Sequence, residues 1–148
     1  MGHIMLKKFC FVIVSIMVSF PAVSGDKRIY VDFPPMMKDH MLSNMRDHLL
    51  ALQTITYQLS SKQFDAAAET AEQRLGMSSM DDHGASHIGK VMPEEMGNIG
   101  TSMHEAASRF ALAAKDAEIE GGLEKAFGAL SKVMEKCVAC HAAYKVHE

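Results

Sequence analysis

The stretch LEKAFGALSKVMEKCVACHAAYK, residues 123–145, places Leu123, Phe127, Leu130, Met134, Cys137, His141 and Tyr144 at steps alternating four and three. That alternation is the apolar stripe of a helix packed on one side. Within it, Cys137-Val138-Ala139-Cys140-His141 has the C-x-x-C-H spacing of a c-type haem attachment site. The chemistry needs that spacing: two thiols must reach the two vinyl groups of one porphyrin, and the next side chain must bring an imidazole nitrogen to the iron. On a helix Cys137 and His141 are i and i+4 and share a face, so the macrocycle would lie along it. Val138 and Ala139 are small enough to let it approach.

Working back from this segment, three more helices are expected. Gly121-Gly122 break the chain ahead of it. Pro93 with Glu94 and Glu95 opens a helix in the standard way, proline first and acids in the first turn. Its stripe is Met96, Ile99, Met103, Ala106, Phe110, Ala113 and Ala117. A helix from Phe64 to Leu75 carries Phe64, Ala68, Ala71 and Leu75 and ends at Gly76, a natural C-terminal cap. The first helix follows Pro34-Pro35 and runs to about Ser60, with Met41, Met45, His48, Leu52, Ile55 and Leu59 on one face. Residues 77–92, rich in Ser, Asp, Gly and His, read as a connection with one short helical turn. No strand pattern or long repeat competes.

The fold class expected is therefore all-α: an antiparallel up-down-up-down four-helix bundle with haem near one end, a fold that builds cofactor sites in its core. In that topology the end of the last helix lies beside the start of the first. His141 falls roughly 10 Å from the chain end, Met41 roughly 9 Å and Met45 roughly 15 Å into the first helix, at 1.5 Å per residue. A haem between those levels would meet His141 on one side and a residue of the first helix on the other.

At the other end, Lys7-Lys8, an apolar run from Phe9 to Phe20, Pro21 and small residues through Gly25 make a secretory signal peptide, too short for a membrane span. Cleavage is expected after about Ser24 or Gly25, and Met1-Gly2-His3-Ile4 resemble a vector scar or a misassigned start. Residues 1–25 are thus read as signal and 26–148 as one domain. Cys10 leaves with the signal, so only Cys137 and Cys140 remain and there is no disulfide framework. The whole chain has a formal charge of −3, from 15 Lys and Arg against 18 Asp and Glu. With no basic cluster or aromatic platform, nucleic acid is not an expected partner. No Ser/His/Asp set, phosphate loop or carboxylate pair marks an enzyme.

The motif at the C-terminus, followed by Ala142-Ala143-Tyr144-Lys145, together with the four-helix layout, resembles the class II cytochromes c, meaning cytochrome c-prime and its low-spin relatives. The family typically has C-x-x-C-H, two residues, an aromatic and a base. The resemblance implies covalent haem c through Cys137 and Cys140, and His141 as the proximal iron ligand. It puts Lys145 at the basic position beside that histidine, where the bland reading is a solvated last-turn lysine. Phe110 and Phe127 read as core, with packing of either one against the porphyrin as the alternative in this fold. Met45-Arg46-Asp47-His48 is similar to the run around the methionine ligand of low-spin members. Phe64-Asp65 resembles the family's second-helix start and sets the same register. The resemblance thus implies Met45 as distal ligand, with Met41 the second choice and His48 the third. The arginine that family members often carry four residues ahead of this ligand is replaced by Met41, so a propionate partner must come from elsewhere. Members are often homodimers through their first two helices.

The function expected is a periplasmic mono-haem carrier of single electrons, exchanging with periplasmic redox partner proteins. A five-coordinate, NO- or CO-binding protein is the alternative within haem chemistry. A non-haem zinc module using Cys137, Cys140, His141 and His147 is the alternative outside it. Of the remaining histidines, His83 and His87 read as exposed in a polar connection, His104 as a boundary residue of the third helix, and His40 and His147 as solvated.

Overall fold

The structure, a computed structural model, describes residues 25–120 and 122–147. The signal-peptide reading, with Cys10 and the start residues, falls on residues 1–25 and lies outside the described residues except for Gly25. The described residues are predominantly helical. In chain order they form β1 (Ile29–Tyr30), α1 (Pro35–Ser60), α2 (Phe64–Arg74), a 3-10 turn (Met77–Ser79), α3 (Ala85–Ile88), α4 (Glu94–Glu120), α5 (Leu123–Ala143) and β2 (Tyr144–Lys145). No helix among them is long and apolar enough to cross a membrane.

Local chemistry sets the helix ends. Pro35 occupies the first turn of α1, where its missing N–H costs nothing. Glu94 and Glu95 place negative charge at the positive end of α4. Gly84 adopts a left-handed φ of 65° just ahead of α3, a conformation that suits glycine. The connection 77–92 thus holds two short helical pieces where the sequence pattern gives one.

The long helices pack in sequence, α1 on α2, α2 on α4 and α4 on α5. The main core between them includes Ile55 and Leu59 of α1, Ala67, Ala68 and Ala71 of α2, Phe110 of α4, and Leu130 and Val133 of α5. Alanines fill much of the core that α4 shares with its neighbours: Ala106, Ala107, Ala111, Ala114 and Ala117 are buried on α4, and Ala126 on α5. Small side chains let helix axes approach closely, and apolar area is buried by backbone proximity as well as by large side chains.

This core corrects the stripe expected for α5. Leu123, Phe127 and Met134 are all exposed, Phe127 at 40%, while Ala126, Leu130 and Val133 are buried. The pattern of large apolar residues lies about one position away from the face that packs, because α5 turns its alanine inward. A second correction concerns strands. β1 and β2 pair in parallel, Ile29 with Tyr144 and Tyr30 with Lys145, and Val31 N–H donates to the Lys145 carbonyl at 2.9 Å. Two-residue strands are too short to leave an alternating pattern in sequence.

This pairing pins the segment ahead of α1 to the end of α5. Around it lies a second apolar cluster of Val31, Phe33, Met41, Ile88, Met96 and Tyr144, with Met45, Met92 and Cys140 packed against it. Here α1 and α5 come together around a cavity.

Candidate functional site

The cavity has a volume of about 340 Å³, within the range of small-molecule and cofactor pockets. Four segments build it. The first half of α1 supplies Met41, Leu42, Met45 and His48; the connection supplies Met80, His83, Ile88 and Met92. The start of α4 supplies Met96, Gly97, Gly100, Met103 and His104, and the end of α5 with its extension supplies Cys140, His141, Tyr144 and Lys145. Arg28 closes the rim from the N-terminal segment.

The structure therefore brings together most of the residues singled out from sequence. Met45, Met41 and His48 from α1 share one cavity with Cys140, His141 and Lys145. Cys137 sits one turn earlier, half-buried against the main core, its thiol 3.6 Å from the Val133 carbonyl. Among the described residues, Cys137 and Cys140 are not joined by a disulfide. Burial pushes the Cys137 thiol up, and burial followed by the neighbouring Cys137 does the same for Cys140.

Two expected neighbours lie elsewhere. Phe110 is fully buried in the main core, and Phe127 is exposed on the outer face of α5; neither lines the cavity. His147 does line it, from an exposed position. Among the described residues no three His, Cys, Asp or Glu side chains stand in metal-holding geometry, the Cys137, Cys140, His141 and His147 set included.

Two features of the wall bear on what the cavity suits. A methyl group added at Gly97 or Gly100 would meet no neighbouring atom within 4 Å, so consecutive turns of α4 present bare backbone to the cavity. A broad, flat group packs well against such a surface. The other feature is a buried ring nitrogen, His48 Nε2, that has no hydrogen-bond partner. Burial, followed by repulsion from His83 and His104, holds the His48 imidazole down to about 4, so at neutral pH the ring is uncharged.

The rim is cationic. Arg28 pairs with Asp26 at 2.9 Å and donates from Nη1 to the His141 carbonyl at 3.5 Å, while Lys145 Nζ lies 3.6 Å from the same Asp26 carboxylate. The sequence pattern marked Lys145 but not Arg28, which lies far away in the chain and reaches the site only because β1 pairs with β2.

The histidines depart most from expectation. His104, read as a boundary residue, is buried with 8% exposure, and its Nδ1 lies 2.8 Å from the Leu75 carbonyl. His83, read as exposed, is half-buried beside it, whereas His87 is exposed as expected. The His48 and His83 rings are 4.7 Å apart between centroids, His83 and His104 5.2 Å, and His48 and His104 6.0 Å. Nothing local in the sequence marks this cluster, since its members come from α1, the connection and α4.

Comparison with known proteins finds no family model, curated protein or solved structure that matches the chain.

Proposed function

We propose that this chain is a periplasmic, mono-haem c-type cytochrome that carries single electrons, a four-helix-bundle protein resembling the class II cytochromes c. The observation that carries the reading is the convergence of Cys140 and His141 of the C-x-x-C-H motif with Met45 and Met41 in one methionine-rich cavity. The bare backbone at Gly97 and Gly100 fits a flat macrocycle laid against α4.

In this reading Cys137 and Cys140 hold the haem by thioether bonds, and His141 is the proximal ligand. Met45 is the distal ligand, with Met41 next in order and His48, whose Nε2 is buried without a partner, third. Haem c supplies one-electron chemistry at iron when bound, and a methionine opposite histidine raises its potential. The protein contributes the rest. Met41, Ile88, Met92 and Met96 exclude water from one side of the cavity. Arg28 and Lys145 at the rim are placed to neutralise propionates, which supplies the partner missing from the position of Met41.

A second reading within haem chemistry, a five-coordinate iron that takes up NO or CO, has the cavity's room in its favour. Absorption spectra of the oxidised and reduced protein, before and after CO, separate the two. The carrier reading expects a low-spin spectrum that CO changes slowly or not at all. A high-spin spectrum with rapid CO uptake, unaltered by Met45→Ala, Met41→Ala or His48→Ala, overturns it. A colourless protein that binds zinc would turn the reading to the non-haem module.

A further inference from the structure

We infer that His48 donates a hydrogen bond to a small ligand bound on the α1 side of the iron, and that it makes this site favour nitric oxide over carbon monoxide. The inference rests on the haem reading and goes beyond it, since neither the attachment motif nor the distal methionine provides a polar contact there.

His48 stands out by elimination. The cavity wall is rich in methionine and aliphatic side chains, and most of its polar groups already have partners. Asn44 Nδ2 donates to the His83 carbonyl at 3.1 Å. His104 Nδ1–H donates to the Leu75 carbonyl at 2.8 Å, and His83 Nδ1 lies 3.4 Å from the Ser79 hydroxyl. At the mouth, Arg28 and Lys145 are both engaged by Asp26. Among the described residues, only His48 Nε2 and Gln58 Oε1 are buried side-chain atoms of this kind without a partner, and Gln58 does not line the cavity. His48 is 7% exposed, so bulk solvent does not supply the missing partner. An unpaired buried polar group carries a cost that a hydrogen-bonding ligand removes.

Position and charge narrow the ligand. His48 is three residues beyond Met45, which makes the two neighbours on the surface of α1, and both line the cavity. A ligand that displaces Met45, or that finds the iron open, therefore arrives beside the His48 ring. Asp47, the adjacent carboxylate, is engaged by Arg74 of α2 through a two-point ion pair. Burial, followed by repulsion from His83 and His104, keeps the His48 ring uncharged at neutral pH. A neutral imidazole carries one N–H, and with that hydrogen on Nε2 the ring presents a dipole and no full charge. Such a donor suits a neutral ligand whose outer atom accepts. Nitric oxide on ferrous iron is bent and holds more negative charge on its outer atom than linear carbon monoxide does, so a preplaced donor strengthens it more.

The test uses the haem-loaded mature protein carrying Met45→Ala, which opens the site, with His48 intact or replaced by Leu or Gln. Reduced samples take up nitric oxide or carbon monoxide, and the dissociation rate of each gas is measured by stopped flow. His48→Leu is expected to speed loss of nitric oxide about tenfold, the weight of one hydrogen bond, and to change loss of carbon monoxide less than about twofold. His48→Gln keeps an N–H donor and is expected to restore part of the difference. The stretching vibration of bound nitric oxide, recorded with His48 intact, is expected to shift on exchange from H2O into D2O, a reading that stands even if both His48 variants fail to fold. Rates for the two gases that change equally or not at all in His48→Leu, or a bound nitric oxide vibration unmoved by D2O, would overturn the inference. The haem absorption band is read first in every sample. Its absence removes the haem reading and this inference with it, whereas haem present with no effect of His48 removes the inference alone.

Discussion

Arg28 and His141 are 113 residues apart in sequence, yet the Arg28 guanidinium donates to the His141 carbonyl across 3.5 Å. The contact exists because the Ile29–Tyr144 and Tyr30–Lys145 pairs tie the N-terminal segment to the end of α5. It sets a cation over the rim of the cavity, beside the histidine assigned to iron.

Removing that cation should make reduction harder, since ferric haem carries one more positive charge than ferrous. Arg28→Ala is expected to lower the midpoint potential by on the order of tens of mV, from a coulombic term of about 1 kcal/mol. Spectroelectrochemical titration of wild type and variant measures it. An unchanged or raised potential would remove Arg28 from the haem environment.

Met45 and Met41 both line the cavity, but only one of them can sit opposite His141. Met45→Ala should convert the iron to a high-spin form that takes up CO rapidly, while Met41→Ala should keep the low-spin spectrum and cost about 2–4 kcal/mol in stability through lost packing. The reverse pattern, read by absorption and chemical denaturation, would exchange the two roles.

Two phenylalanines with similar positions in the sequence pattern should behave differently. Phe110 is fully buried and Phe127 is 40% exposed. Phe110→Ala should cost about 3–5 kcal/mol, and Phe127→Ala less than about 1 kcal/mol. Urea unfolding of both variants checks this; equal losses would mean that α5 packs through the Phe127 face after all.

Much of the fold was legible because it rests on features that sequence displays directly. Pro34-Pro35, Pro93-Glu94-Glu95 and Gly76 marked the helix ends, and the stripes through Ile55 and Leu59 and through Met103 and Phe110 marked the buried faces. The α5 face was misread because one of its buried positions is Ala126, whereas patterning weighs large side chains such as Phe127 and Met134, which are exposed. The C-x-x-C-H spacing was legible in sequence, and the structure sets Cys140 and His141 of that run on the cavity wall. The places of Arg28, His83 and His104 at the cavity were not legible, because they depend on β1–β2 pairing and on α1, the connection and α4 meeting, and no short-range pattern encodes either.

Glu72 gives a pH test away from the cavity. Burial works against its charge, but hydrogen bonds from Ser108 and from the hydroxyl and N–H of Ser78 outweigh burial and hold its pKa below the ordinary 4.5. A carboxyl depressed in the folded state stabilises above its unfolded value, and that contribution is lost as pH falls through the folded value. Glu72→Gln should therefore cost about 1 kcal/mol at pH 7 and progressively less below pH of about 4.5. Thermal melts of both proteins from pH 7 to pH 3 would show the gap closing; a gap constant with pH would mean that the side chain contributes by packing alone.

The central claim is that Cys137 and Cys140 hold one haem covalently, and the intact mass of the denatured protein tests it most directly. The protein is produced in a bacterial host equipped for c-type haem attachment and recovered from the periplasm. The account predicts a chain beginning near residue 25 or 26 carrying the added mass of one haem, and the bare mass for Cys137→Ser combined with Cys140→Ser. A wild-type chain at its bare polypeptide mass would contradict it.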